Sequence, residues 1–271
     1  MIALPYLSAI CFSGADAGDF LHNQVSSDVL ALSSGESVFA CYSEPKGRVL
    51  ALMLVSKVGN DYFVILSQAL ADSIARRLKM YVMRSQVDTE VLTEKVVAVL
   101  FEDNSSDHEV SSTIVIPLPG SGQQLAIISR AKAPGHDTKL SDGWRTSELQ
   151  RGVCWLSTET SGQFLPQMLG FDQLGAVNFR KGCYPGQEIV ARTHYLGKVK
   201  RHPRLLNCKP TVCPGLMDKI SLIGDDQSYD AIVVDCQSGE DGDTSLMVVT
   251  RMEPELLARQ IEYQGNAVDV I

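Results

Sequence analysis

Residues 37–42, 48–55 and 61–66 are short runs rich in Val, Ile, Leu and aromatic side chains. Turn chemistry separates them, Glu44-Pro-Lys-Gly47 and then Gly59-Asn-Asp61, so the spacing predicts consecutive antiparallel strands in a meander. Ser67 then stands where a helix needs a cap, and Leu70, Ile74 and Leu78 recur every fourth position, which predicts a helix packed on that sheet. Arg76, Arg77 and Lys79 fall toward its C-terminal end, where the dipole favours cations. Strand patterning resumes over 87–92 and 96–101, so 44–101 reads as a compact α+β unit with a split sheet. Residues 1–12 read as a buried first strand, and 16–29 and 146–153 as weaker helices. The polar stretches 102–112 and 134–143 read as loops, the first marking a subdomain boundary. From about residue 199 the texture changes to short β-rich runs at 205–208, 219–222, 229–235, 245–250 and 260–263. Pro-Gly, Gly-Asp-Asp and Gly-Glu-Asp-Gly-Asp turns punctuate them, which suits a small antiparallel barrel or sandwich.

Composition narrows the class. The chain has 271 residues, 45% hydrophobic and 21% charged, a soluble globular balance that excludes disorder, collagen and coiled coil. Its longest uninterrupted apolar run, 49–55, is far short of the roughly 20 residues that span a bilayer. The first Lys or Arg is Lys46, so the apolar N-terminus lacks the basic region of a signal peptide, and a cytoplasmic location with no membrane contact is expected. The net charge of −8 argues against direct binding of nucleic acid by charge alone. Seven cysteines, an odd number at irregular spacings, make a disulfide framework or a complete intrachain metal site unexpected, and reduced thiols are the default.

Charge is uneven along the chain. Between 180 and 204 stand Arg180, Lys181, Arg192, Lys198, Lys200, Arg201 and Arg204 against one acid, Glu188, whereas residues 1–45 hold five acids and no Lys or Arg. The two regions either neutralise one another across an internal surface or frame an anion-binding cleft. Within the basic region, Gly182 and Gly186 bracket Cys183, so the backbone can turn tightly and come close to a ligand. Residues 187–196 read as a helix with Glu188 in the first turn and Gly197 available to end it. Cys183 would then lie just before a helix N-terminus beside Arg180 and Lys181, a setting that favours thiolate and predicts a nucleophilic, redox or metal-linking cysteine. The alternative is a small packing residue in a Gly-rich turn. His194 and His202 follow in the same segment and read as surface or satisfied histidines, so no Cys-His-Asp set is established there.

The segment Lys181-Gly-Cys-Tyr-Pro-Gly-Gln-Glu188, followed by Arg192, resembles the K-G-C-[YF]-x-G-Q-E signature of the YgfZ family, relatives of the glycine-cleavage T-protein aminomethyltransferases. Gly14-Ala-Asp16 with Phe20, Gln24 and Asp28 resembles the family's N-terminal pattern, with His22-Asn23 standing in place of its Gln-Gly. Pro45-Lys-Gly-Arg48 resembles its P-K-G-R turn, and Gln163-Phe-Leu-Pro-Gln167 with Gly175 and Phe179 the stretch leading into the signature. Beyond about residue 200 the likeness is one of character.

The resemblance implies an α+β, T-protein-like multi-subdomain ring around a tetrahydrofolate-binding hole. Its parts would be a discontinuous body over 1–43 and 113–198, a ferredoxin-like subdomain over 44–112 and a C-terminal antiparallel β-barrel over 199–271. It implies Cys183 as the essential cysteine, with Lys181, Tyr184, Gln187, Glu188 and Arg192 in the same site. It puts Trp144 where a folate-contacting tryptophan is expected, an indole being suited to stacking on a flat ring, while the N-terminal folate tryptophan falls near Tyr6 or Leu7. The implied function is a folate-binding accessory factor for assembly or repair of iron–sulfur enzymes that supports tRNA modification indirectly. Iron–sulfur clients or cluster-assembly proteins would be its partners, and no resident metal is expected. A tetrahydrofolate-dependent aminomethyl transferase and a non-catalytic ligand-binding scaffold are the competing readings, and enzyme status stays open between them.

Overall fold

A computed structural model of the chain describes residues 1–100, 113–135, 137–197, 199–209, 213–224, 227–238, 243–253 and 256–270. The expected boundary loop at 102–112, the basic residue Lys198 and most of the two acidic glycine turns in the C-terminal part lie outside the described residues.

The apolar N-terminus forms two strands rather than one. β1 (Ile2–Ala3) and β2 (Leu7–Ser13) are separated at Pro5 by a turn in which the Leu7 amide donates to Leu4 O at 3.0 Å, because proline has no amide to offer a ladder. The two strands enter different sheets. α1 (Ala17–Gln24) follows, and then β3 (Ser37–Ser43), β4 (Val49–Val58) and β5 (Asp61–Ser67), the antiparallel meander expected from the turn chemistry. α2 (Gln68–Val82) buries Leu70, Ala71, Ile74, Ala75 and Leu78 against this sheet, although the Ser67 hydroxyl does not cap it. β6 (Asp88–Val91) completes a five-stranded sheet in the order β3-β4-β5-β2-β6. β2 and β3 therefore share a sheet with β4, β5 and β6, so the expected boundary at 43/44 runs between hydrogen-bonded strands.

β7 (Lys95–Leu100), β8 (Ile114–Pro117) and β9 (Gln124–Ser129) join β1 in a four-stranded sheet ordered β1-β7-β9-β8. α3 (Thr138–Gln150) starts eight residues before the expected helix and takes in half of the stretch expected as loop. Asp137 caps it by accepting from the Leu140 amide at 3.1 Å, leaving fewer helix-end donors unsatisfied. α4 (Gln187–Tyr195) leads to the C-terminal strands β10 (His202–Cys208), β11 (Lys219–Ile223), β12 (Ser228–Ser238), β13 (Thr244–Thr250), β14 (Gln260–Tyr263) and β15 (Asn266–Asp269). These make one antiparallel sheet ordered β10-β13-β12-β11-β14-β15, and a bridge between Cys208 and Val270 brings its two edges together around a separate apolar core. The main core lies under the five-stranded sheet, where β4 is buried on both faces, hence its unbroken apolar sequence. Among the described residues no helix is long and apolar enough to cross a membrane.

Candidate functional site

The Cys183 loop is assembled from segments far apart in sequence. Gly186 and Gly47 both take positive φ, +83° and +78°, and meet backbone to backbone: a β-carbon on Gly186 would lie 2.5 Å from Glu44 O and 2.6 Å from the Gly47 α-carbon. No other residue type allows that approach. The Val49 amide donates to Phe164 O at 2.9 Å, Arg48 donates to Gln163 O, and the buried Gln167 side chain donates to Val190 O at 2.8 Å. The Pro45–Arg48 turn, the 163–167 stretch and α4 thus brace one another.

Lys181 does not face outward as a cationic ligand would. Its Nζ donates to His22 O and, at 2.7 Å, to Val25 O, where the last carbonyls of α1 carry partial negative charge. Burial lowers its pKa to about 8 against the pull of Asp28 and Cys183, and the ammonium stands 5.1 Å from the centre of the buried Tyr184 ring. Gln187 donates back to Lys181 O at 3.4 Å. Cys183, Glu188 and Arg192 are exposed. His194 stacks on Phe179 at 3.8 Å, and His202 Nε2 lies 3.8 Å from Glu253, so these two histidines have other neighbours. Another histidine is next to the loop instead. His22 Nε2 lies 3.8 Å from where a Gly182 β-carbon would stand, and its Nδ1 is 3.2 Å from Asp28 Oδ1.

All seven cysteines are free thiols. Burial pushes Cys41 up to about 12 and Cys11, Cys208 and Cys236 to about 11, which keeps them protonated and inert. Cys183 and Cys213 are the two exposed ones.

Trp144 belongs to a different cluster, on α3. It is 6% exposed, with the Arg151 guanidinium 5.2 Å from its ring centre. One turn on, the wholly buried Glu148 accepts from Tyr6 Oη at 2.7 Å and Trp155 Nε1 at 3.0 Å. Its carboxyl is pushed up to about 7 by burial, held back by hydrogen bonds from Tyr6, Trp155 and Trp144 and by the charge of Arg151. Arg145 lies 5.2 Å over the Tyr6 ring and its Nη2 donates to both oxygens of Asp235 on β12, at 3.1 and 3.2 Å. Arg151 also lines a cavity of about 560 Å³ with Phe39, Gln150, Gln173, Leu174 and Met247, and its buried Nη2 has no hydrogen-bond partner among the described residues. Sequence reasoning singled out Tyr6 and Trp144 but not Glu148, Arg151, His22 or their partnerships. Glu148 stood four residues after Trp144, the helical spacing that could have revealed it.

No protein-family model matches the chain. A protein of Haemophilus influenzae described as uncharacterized is 29% identical over 74% of this chain and 70% of its own length. The tRNA-modifying protein YgfZ of Colwellia psychrerythraea is 24% identical over 99% of this chain and 90% of its own. That of Escherichia coli O127:H6 is 26% identical over 91% and 84%. Over nearly its whole length the chain is similar to the YgfZ proteins. The fold of the chain is that of the glycine cleavage system aminomethyltransferase T from Bartonella henselae, a solved structure matched with a TM-score of 0.71 at 13% identity over 99% of this chain and 84% of the other. The motifs that carry the resemblance are also the segments that brace the Cys183 loop.

Proposed function

We propose that this chain binds tetrahydrofolate in the cavity beside Arg151 and acts as an accessory factor in the assembly or repair of iron–sulfur enzymes, with Cys183 as its reactive group. The observation that carries the ligand reading is Arg151, which lines a cavity of about 560 Å³ and whose buried Nη2 has no hydrogen-bond partner among the described residues. A cavity of that size suits a small molecule. A guanidinium with a free donor suits a carboxylate, and Phe39, Leu174 and Met247 offer apolar surface to a flat ring. Trp144 supports Arg151 in this reading: the guanidinium lies over its ring, and the indole is buried. Folate, when bound, supplies a carrier for a one-carbon unit.

The name carried by the YgfZ relatives, tRNA-modifying protein, supports placing the chain's effect at tRNA. The net charge of −8 favours an indirect route through client enzymes over contact with the polyanion. Isothermal titration of the reduced protein with tetrahydrofolate tests the ligand. Saturable binding that weakens about tenfold or more in Arg151→Gln is expected, from loss of a charge-assisted hydrogen bond. Absence of heat in a folded wild-type sample overturns it.

A further inference from the structure

Glu148 is a wholly buried carboxyl to which no cation is bonded among the described residues. Its Oε2 accepts from Tyr6 Oη and its Oε1 from Trp155 Nε1. Burial without a bonded counter-charge favours the protonated form. The Tyr6 hydroxyl can accept as well as donate, so a proton on Oε2 fits without moving either side chain. The charged and titratable groups facing this carboxyl are Tyr6 from the N-terminal turn, Arg145 and Arg151 from α3 itself, Cys154 from the stretch after α3, and Asp235 from β12. Burial keeps Tyr6 and Cys154 protonated, and Arg145 is bonded to Asp235. Arg151, one turn along α3, is the remaining cation, and its charge favours the ionised Glu148. Its Nε donates to Ser147 O at 3.3 Å and its Nη1 to Gln123 Oε1 at 2.6 Å, which fixes the guanidinium and leaves Nη2 over. One cation thus serves both a buried carboxyl and the wall of a cavity.

We propose that a carboxylate ligand entering the Arg151 cavity brings a proton onto Glu148, so that binding is coupled to the protonation of a residue outside the cavity wall. The proposal rests on the ligand assigned to that cavity and names how its binding is regulated. A carboxylate paired with Arg151 offsets the charge that keeps Glu148 ionised, and its own negative charge acts in the same direction. Glu148 then takes a proton from solvent onto Oε2, and no bond of the ligand is made or broken. The coupling is reciprocal: once Glu148 is neutral, Arg151 has one anion fewer to satisfy and holds the ligand more tightly. Burial pushes the carboxyl up to about 7, which sets the exchange at neutral pH. The polar side chains of the cavity wall are Ser121, Gln150, Arg151 and Gln173, none of which titrates there, so the proton has no acceptor on the wall itself.

The test is isothermal titration of the whole protein with 4-aminobenzoylglutamate, a flat ring with two carboxylates and no group that titrates near neutrality. Each titration is run in buffers of different ionisation enthalpy, and the difference in heat counts the protons taken up. For a rise of about one unit in the Glu148 pKa on binding, uptake of about half a proton is expected at neutral pH, with affinity roughly five- to tenfold tighter at about pH 6 than at about pH 9. Both effects should vanish in Glu148→Gln while binding persists. In Tyr6→Phe, which removes a donor to the carboxylate, the uptake should move to higher pH. Equal heats in all buffers with an affinity flat across pH overturn the coupling and leave the ligand assignment standing. Uptake that persists in a folded Glu148→Gln protein also overturns it, and if that variant unfolds, an unmoved profile in Tyr6→Phe does so. Binding of tetrahydrofolate without binding of the probe overturns the carboxylate pairing with Arg151 and the coupling with it. Heat from neither ligand in a folded sample overturns both the coupling and the folate assignment.

Discussion

Glu148 is a carboxyl held in the protein interior by aromatic donors, and its titration is a stability measurement. Its pKa rises from 4.5 to about 7 on folding, so between those values the folded state binds the extra proton and stability falls as pH rises. Integrated over that range the loss is about 3 kcal/mol, complete above the folded value. Subtracting the urea-unfolding free energies of Glu148→Gln from those of the wild type at pH 4.5 and 7.5 isolates it from other carboxyls. The wild type should lose stability relative to the variant over that interval. A flat difference would show that the Tyr6 and Trp155 bonds fully offset burial.

At the scale of elements, the meander β3-β4-β5 was legible because proline and glycine turns are local signals. α3 was legible only in its second half. Its buried positions, Ser141, Trp144, Glu148 and Leu149, have helical spacing, but two of the four are polar and hide the apolar stripe. The Cys183 loop was legible as a motif, while its attachment to α1 was not: His22 and Val25 lie 159 and 156 residues upstream of Lys181, and nothing in spacing along the chain connects them. The resemblance put Lys181 in the site, but its bonds to helix carbonyls could not be read from the sequence, because a lysine that serves helix carbonyls looks the same there as one that meets a ligand. The contact between the two glycine turns yields a test at this scale. Gly186→Ala should lower stability by about 2–4 kcal/mol, combining left-handed strain with a clash on Glu44 O. Thermal unfolding measures it, and the proline turn at 45–48 should gain hydrogen exchange with it. A neutral substitution would mean that the turns separate at little cost.

Over the whole molecule, α3 packs against β1 of the four-stranded sheet and against β12 and β13 of the C-terminal sheet, and it carries Arg145 toward the latter. Asp235 is 2% exposed and receives Arg145 Nη2, the Cys236 amide at 2.8 Å and Gln237 Nε2 at 2.7 Å. Asp235→Ala leaves the Cys236 amide, the Gln237 side chain and the part-exposed Arg145 short of their acceptor, so it should cost about 2–4 kcal/mol. Limited proteolysis should then cut between the body and the C-terminal sheet before either is degraded. Simultaneous loss of both would show that they unfold as one unit.

The bonds from Lys181 to α1 span 159 and 156 residues, which makes the loop a feature of high contact order. Such closures are entropically costly and form late in folding. A nascent or half-folded chain therefore carries Cys183 on a loop that is not yet tied to α1. The loop takes its native shape only when the chain has finished folding, so the segment that displays the exposed thiol is among the last to be ordered.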